Sequence, residues 1–190
     1  MEIHNEFEVE RPIDAVWDMF QDVPAVAACL PGAELTDDKG GGEYAGQVSV
    51  KLGPMSSKFE GEAKVTPDAA AKSAHIEGKG VDKAGGSRGQ VKVDYALVAS
   101  NGGTTVTVDA DISLSGAIAQ FGRTGLVEEM SKRLIGEFVE CLHAKLDAES
   151  PEEAEAIQAS EVKGISLFFS ALGSWVASFF KRLFKKGDSE

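Results

Sequence analysis

The chain has 190 residues, 43% of them hydrophobic and 26% charged, and its 31 acidic against 19 basic side chains give a formal net charge of -12. That balance excludes a disordered chain, and it excludes a nucleic-acid surface, which needs clustered Lys and Arg to neutralise phosphates. What remains is one globular domain of ordinary core-forming power with an additional segment.

Two cysteines, Cys29 and Cys141, lie far apart, and the opening "MEIHNEFEVE" has neither a basic region nor an apolar run. A reducing, cytoplasmic compartment is expected, with both thiols packed as small hydrophobes. No basic neighbour in sequence activates Cys29 as a nucleophile.

Ile3, Asn5, Phe7 and Val9 alternate with His4, Glu6, Glu8 and Glu10, which predicts a half-buried strand. Pro12 then suits a first helical turn, and Ile13, Val16, Trp17 and Phe20 recur at helical spacing. Asp22 is placed to cap a second short helix that runs through Ala28 and stops at Pro31 and Gly32. From Tyr44 to Ser115 the period falls to two, broken by Gly, Asn and Pro clusters, so strands are expected near 43–52, 55–66, 70–79, 85–99 and 103–115. "SNGG" at 100–103 predicts a hairpin turn. Leu126, Met130, Leu134, Phe138, Leu142 and Leu146 recur every four residues and predict one long helix. The stretch 147–163 carries six acids in seventeen residues and reads as a solvated linker, flexible or transiently helical.

These elements form an α+β arrangement in which an antiparallel sheet wraps one long C-terminal helix and can enclose a cavity. The order, with "RPIDAVW" after the first strand, resembles the helix-grip superfamily of START domains, pathogenesis-related allergens and polyketide cyclases. Three stretches are similar, in order, to the CoxG family of carbon monoxide dehydrogenase subunits: "VPAVAACLPGAEL", "YAGQVSVKLGPMSSKFEGEAKV" and "AQFGRTGLVEEMSKRLIGEFVECL". They span most of residues 1–146, the expected ligand-binding domain.

No catalytic constellation stands out. His4, His75 and His143 have no ligand spacing, and neither "DKGGGEY" nor "KAGGSRG" has the pattern of a phosphate loop. His75 and Glu77 alternate on one strand face and read as a solvent-facing pair rather than metal ligands. The positive signal is apolar: Met55, Phe59, Leu114, Ile118, Phe121, Leu126, Met130 and Leu134 fall on the strand pair, loop and helix expected to line a cavity and its mouth. In "GAIAQFGRTG", Gly116, Gly122 and Gly125 lower the cost of rearrangement around an exposed Ile118 and Phe121, as a gate requires, with Arg123 at the rim.

Residues 164–180 contain no charge, and "KRLFKK" follows. Seventeen residues fall short of the twenty or so that cross a bilayer. Ser, Gly and Ala collect on one helical face opposite Phe168, Phe169, Leu172, Trp175 and Phe179, so an amphipathic interfacial helix over 164–186 is expected, with Phe180, Lys181, Arg182, Lys185 and Lys186 also at the membrane.

The residues and the resemblance together imply a membrane-tethered carrier of an apolar ligand, peripheral on the inner face of the cell membrane. CoxG-like proteins accompany molybdenum carbon monoxide dehydrogenases whose electrons end in the quinone pool, so the resemblance implies a quinone, menaquinone or ubiquinone, as ligand. It also implies a molybdenum carbon monoxide dehydrogenase or related hydroxylase as partner. The same facts allow an adaptor that anchors the enzyme and carries nothing. An enzyme is disfavoured, since only Tyr44, Tyr95 and His75 offer polar groups to a cavity.

Overall fold

The computed structural model describes residues 1–52, 55–123 and 126–158, with backbone alone at 52, 55, 121–123, 126–128 and 151. Two compact units divide the chain, Met1–Ala159 and Ser160–Glu190; the predicted membrane helix, from Phe168 and Phe169 to Lys185 and Lys186, lies outside the described residues. No described helix is long and apolar enough to cross a membrane.

In chain order the first unit holds β1 (Glu2–Val9), α1 (Ile13–Gln21), α2 (Val23–Ala28), β2 (Ala33–Gly40), β3 (Glu43–Leu52), β4 (Met55–Asp68), β5 (Ser73–Asp82), β6 (Ser87–Ser100) and β7 (Gly103–Ser115). A 3-10 helix (Ala117–Arg123), α3 (Leu126–Asp147) and α4 (Pro151–Ala156) follow. The strands form one antiparallel sheet in the order β1-β7-β6-β5-β4-β3-β2, with β1 and β2 at its edges. This is the expected α+β fold with one added strand: β2, "AELTDDKG", had no alternating apolar signal. It is an edge strand whose pairing with β3 shifts register twice, so its carboxylates stay in water.

Period two sorts the sheet into faces. Ile3, Phe7, Val9, Tyr44, Phe59, Val65, Ile76, Val91, Val93, Tyr95, Leu97, Val106 and Leu114 share the inner face, while the Glu and Lys side chains between them point outward. Val9, Val16, Trp17, Phe20, Ala74, Tyr95, Leu97, Val106, Phe138 and Leu142 are buried together, so α1 and the C-terminal half of α3 seal one end of that face. Phe138 is the centre of this packing, its ring edge-on to both Phe7 and Phe20 at centroid distances of 6.1 and 6.2 Å. Asp22 accepts from Ala25 N at 3.0 Å and caps α2 as expected.

Two readings need correction. Cys29 and Cys141 are not two separate buried thiols: they form a disulfide, with Cα atoms 5.4 Å apart across 112 residues of sequence. Cys29 ends α2 and Cys141 lies in α3, and the fold brings together positions whose sequence spacing carried no such information. The cysteine count therefore no longer supports a reducing compartment, because disulfides persist mainly where the surroundings oxidise. The acidic stretch, for its part, begins as structure: Ser150 Oγ accepts from Glu153 N at 3.2 Å, Glu149 N donates to Glu153 Oε2 at 3.1 Å, and α4 follows. The buried Lys145 donates to Ala154 O at 2.6 Å, Arg11 pairs with Asp147, and Ile157 packs against the core. Residues up to Ile157 thus belong to the domain.

Candidate functional site

The unsealed end of the inner face is the candidate site. Four glycines stand opposite one another on adjacent strands, Gly46, Gly61, Gly80 and Gly89, and the row continues into Leu114 on β7. At Gly61 a Cβ would run into the carbonyl of Lys79 and lie 2.7 Å from Gly80 Cα. Strands β4 and β5 approach so closely there that no side chain fits at Gly61. Gly89 is different. A Cβ on it would stand 3.5 Å from Leu114 Cδ2 and 3.8 Å from Phe59 Cε1, ordinary contact distances, so Phe59 and Leu114 converge over it. Both are half-buried, as are Val91 and Val93 beside them and Met130 and Leu134 on α3. Apolar side chains on the inner face that remain partly accessible are what a lined cleft presents.

Ile118 departs from expectation. It is 3% exposed rather than an exposed gate residue, because its amide donates to Ser87 Oγ at 3.3 Å and turns the 3-10 helix down onto β6. Gly116, at φ +81°, makes the turn, and a Cβ there would lie 2.7 Å from Gly86 O. Of the eight predicted ligand residues, Phe59 and Leu114 converge over Gly89, Ile118 is held to Ser87 at the start of β6, and Met130 and Leu134 are half-buried on α3; the side chains of Met55, Phe121 and Leu126 lie outside the described residues, as does that of Arg123. Beneath Ile118 sits a polar set that the sequence reading missed: Ser57, Asp82 and Ser87, all buried. Asp82 Oδ1 accepts from Gly85 N at 2.9 Å and Ala84 N at 3.0 Å. The Gly85 amide, with the Ser57 hydroxyl and Ala84 amide, holds its carboxyl below the usual range, so this charge closes the β5–β6 turn.

The outer face is a solvated ladder. Lys64 pairs with Glu43 at 3.3 Å, Lys92 with Glu77 at 3.5 Å and Lys83 with Glu60 at 2.6 Å, all exposed pairs of small energetic value. Two shallow grooves, of about 480 and 310 Å³, are lined largely by such outward rows, and their charged walls suit no apolar ligand. His75 lies here, 2.7 Å from Asp94 and 3.7 Å from Glu77, as the solvent-facing pair required. Tyr44 and Tyr95 face inward, so the three polar candidates for catalysis do not converge. Among the described residues no group of three His, Cys, Asp or Glu is placed to hold a metal.

The family model for the carbon monoxide dehydrogenase subunit CoxG matches residues 6–147. The chain belongs to the CoxG family. Solved structures agree on the fold. A conserved protein from Geobacillus kaustophilus aligns with TM-score 0.67 at 17% identity, covering 77% of this chain and 95% of the other. A protein from Thermus thermophilus gives 0.56 at 12% identity over 75% and 97%. The Zhui aromatase/cyclase from Streptomyces sp. R1128 gives 0.55 at 14% over 77% and 93%. Among curated proteins none matches. The CoxG match runs from β1 to the end of α3 and so covers nearly the whole of the sheet and the long helix.

Proposed function

We propose that this CoxG-family domain binds an apolar ligand on the inner face of its sheet and carries it in the service of a carbon monoxide dehydrogenase or a related molybdenum hydroxylase. One observation carries the reading: in a domain otherwise packed by α1 and α3, Phe59 and Leu114 converge over the glycine row and remain half-buried, as do Met130 and Leu134 on α3. Burying such surface against a ligand contributes roughly 25 cal/mol per Å². A respiratory quinone, menaquinone or ubiquinone, suits both the apolar lining and an enzyme whose electrons need an acceptor in the membrane. The uncharged stretch 164–180 and the basic cluster after it support interfacial binding to an anionic leaflet, with apolar burial and Lys/Arg attraction acting together. The role is binding and delivery rather than catalysis.

The adaptor reading rests on a different observation, the exposed ladder of charges on the outer face, which is free to dock a partner whatever the inner face holds. Leu134→Trp separates the two. Filling the cleft abolishes quinone-dependent electron transfer from the dehydrogenase in a carrier while recruitment of the enzyme to membranes persists; full electron transfer by the variant contradicts the carrier.

A further inference from the structure

Between Gly89 and Tyr95 the inner face of β6 presents Val91 and Val93, both half-buried, flanked by Gly78 and Ile76 on β5 and by Ala110 and Ile112 on β7. This apolar track is six residues long, or about 20 Å along a strand. It begins where Phe59 and Leu114 converge and ends at Tyr95. That residue is 7% exposed, its ring edge-on to Phe20 at 5.0 Å. Its hydroxyl is shielded from solvent and has no hydrogen-bond partner among the described residues.

An orphan hydroxyl at the end of an apolar track is a costly object, since buried polar groups are nearly always paired. The side chain of Gln21 is a polar neighbour near enough to act on it but forms no well-aligned bond with it; its amide Nε2 also reaches Trp17 O at 3.5 Å. Burial keeps the phenol protonated, and therefore a donor, well above neutrality. The surroundings also fix what it donates to. The neighbours of Tyr95 are Ala74, Val108 and Phe20, and Asp22 follows Gln21 at the junction of α1 and α2. An anionic head group would be desolvated there while the neighbouring Lys72 is already paired with Asp14 at 2.8 Å, whereas a neutral carbonyl oxygen needs only one donor.

Resting on the apolar-ligand reading, we infer that the Tyr95 hydroxyl is the donor that orients the ligand's polar end, and that this end bears an uncharged carbonyl while the hydrocarbon chain runs along β6 toward Phe59 and Leu114.

Tyr95→Phe removes one oxygen that the folded domain leaves unpaired, so the variant should unfold at the same or a higher urea concentration. The full chain in mild detergent is titrated with geranyl-1,4-naphthoquinone and with the matching geranylnaphthalene, which has no carbonyl, following tryptophan fluorescence. The inference predicts that the variant binds the quinone about five- to tenfold more weakly and the hydrocarbon equally well. Equal quinone affinity in both proteins overturns it, as does an equal loss for both ligands, which would mark a packing defect. If the unaltered protein binds neither probe, the apolar-ligand reading itself fails and this inference with it.

Discussion

Reducing the Cys29–Cys141 bond should cost the domain a large part of its stability. The bond closes a loop of 112 residues, and the chain-entropy relation for a loop of that length gives about 5 kcal/mol of stabilisation at 25 °C, with 2–5 kcal/mol the usual observed range. A domain of this size holds only about 5–15 kcal/mol in total. The position makes the loss structural as well as entropic: α2 buries no residue of its own, and Cys29 at its C-terminus is fully buried in the core. Without the bond α2 keeps its link to β2 and loses its covalent tie to α3. The assay is urea unfolding of the full chain, oxidised to completion, with and without a phosphine reductant. At a slope of ~2 kcal/mol per molar the midpoint should fall by roughly 2 M. A Cys29→Ala/Cys141→Ala variant should be indifferent to the reductant. Coincident midpoints, together with two thiols titrating in the denatured, unreduced protein, would refute the pairing and the reasoning built on it.

The glycine row makes a contrast. Gly61→Ala must displace the Lys79 carbonyl and should destabilise by about 1–3 kcal/mol, whereas Gly89→Ala meets only ordinary contacts and should be neutral to within about 1 kcal/mol; equal urea midpoints for the two variants would show that the strands do not approach as described. His4 and His75 both titrate above the ordinary histidine range, raised first by hydrogen bonds to Asp109 at 2.6 Å and Asp94 at 2.7 Å. Since the folded values are raised, their contribution is complete below the unfolded value of about 6.5 and is lost as pH rises through the folded one. Proton NMR of the imidazole rings should show the His4 and His75 midpoints above about 6.5 in the native protein, and His75→Gln should remove one of these two and leave that of His4; midpoints at or below that value would remove the pairings.

Much of the architecture was legible because amphipathic period survives folding. Phe7 and Val9 alternate with glutamates in β1, and Val16, Trp17 and Phe20 mark the buried face of α1. The failures have physical causes. In β2 the residues Asp37, Asp38 and Lys39 carry no period because an edge strand has water beside it, and its membership depends on β3 rather than on its own residues. Cys29 and Cys141 meet only after the whole sheet has formed. Ile118 was expected to be exposed from the glycines around it, but its burial depends on a hydrogen bond to Ser87, 31 residues away. Pro151 to Ala156 reads as too acidic to pack; a capped turn and the Lys145 ammonium hold it. The glycine row did leave a trace, one glycine in matching phase on each of four strands, but only the register shows that Gly46, Gly61, Gly80 and Gly89 are neighbours. Tyr95 stood among the inward candidates, and nothing in sequence marks its hydroxyl as unpaired.

The central claim, that the half-sealed inner face holds an apolar ligand, is tested most directly by native mass spectrometry with lipid extraction on the full-length protein purified from its own membranes in mild detergent. The account predicts a stoichiometric isoprenoid quinone that stays with the folded unit after proteolytic removal of the residues beyond 163. A folded unit that yields no ligand, while the chain still sediments with membranes and captures a molybdenum dehydrogenase, would contradict it and make the protein an adaptor.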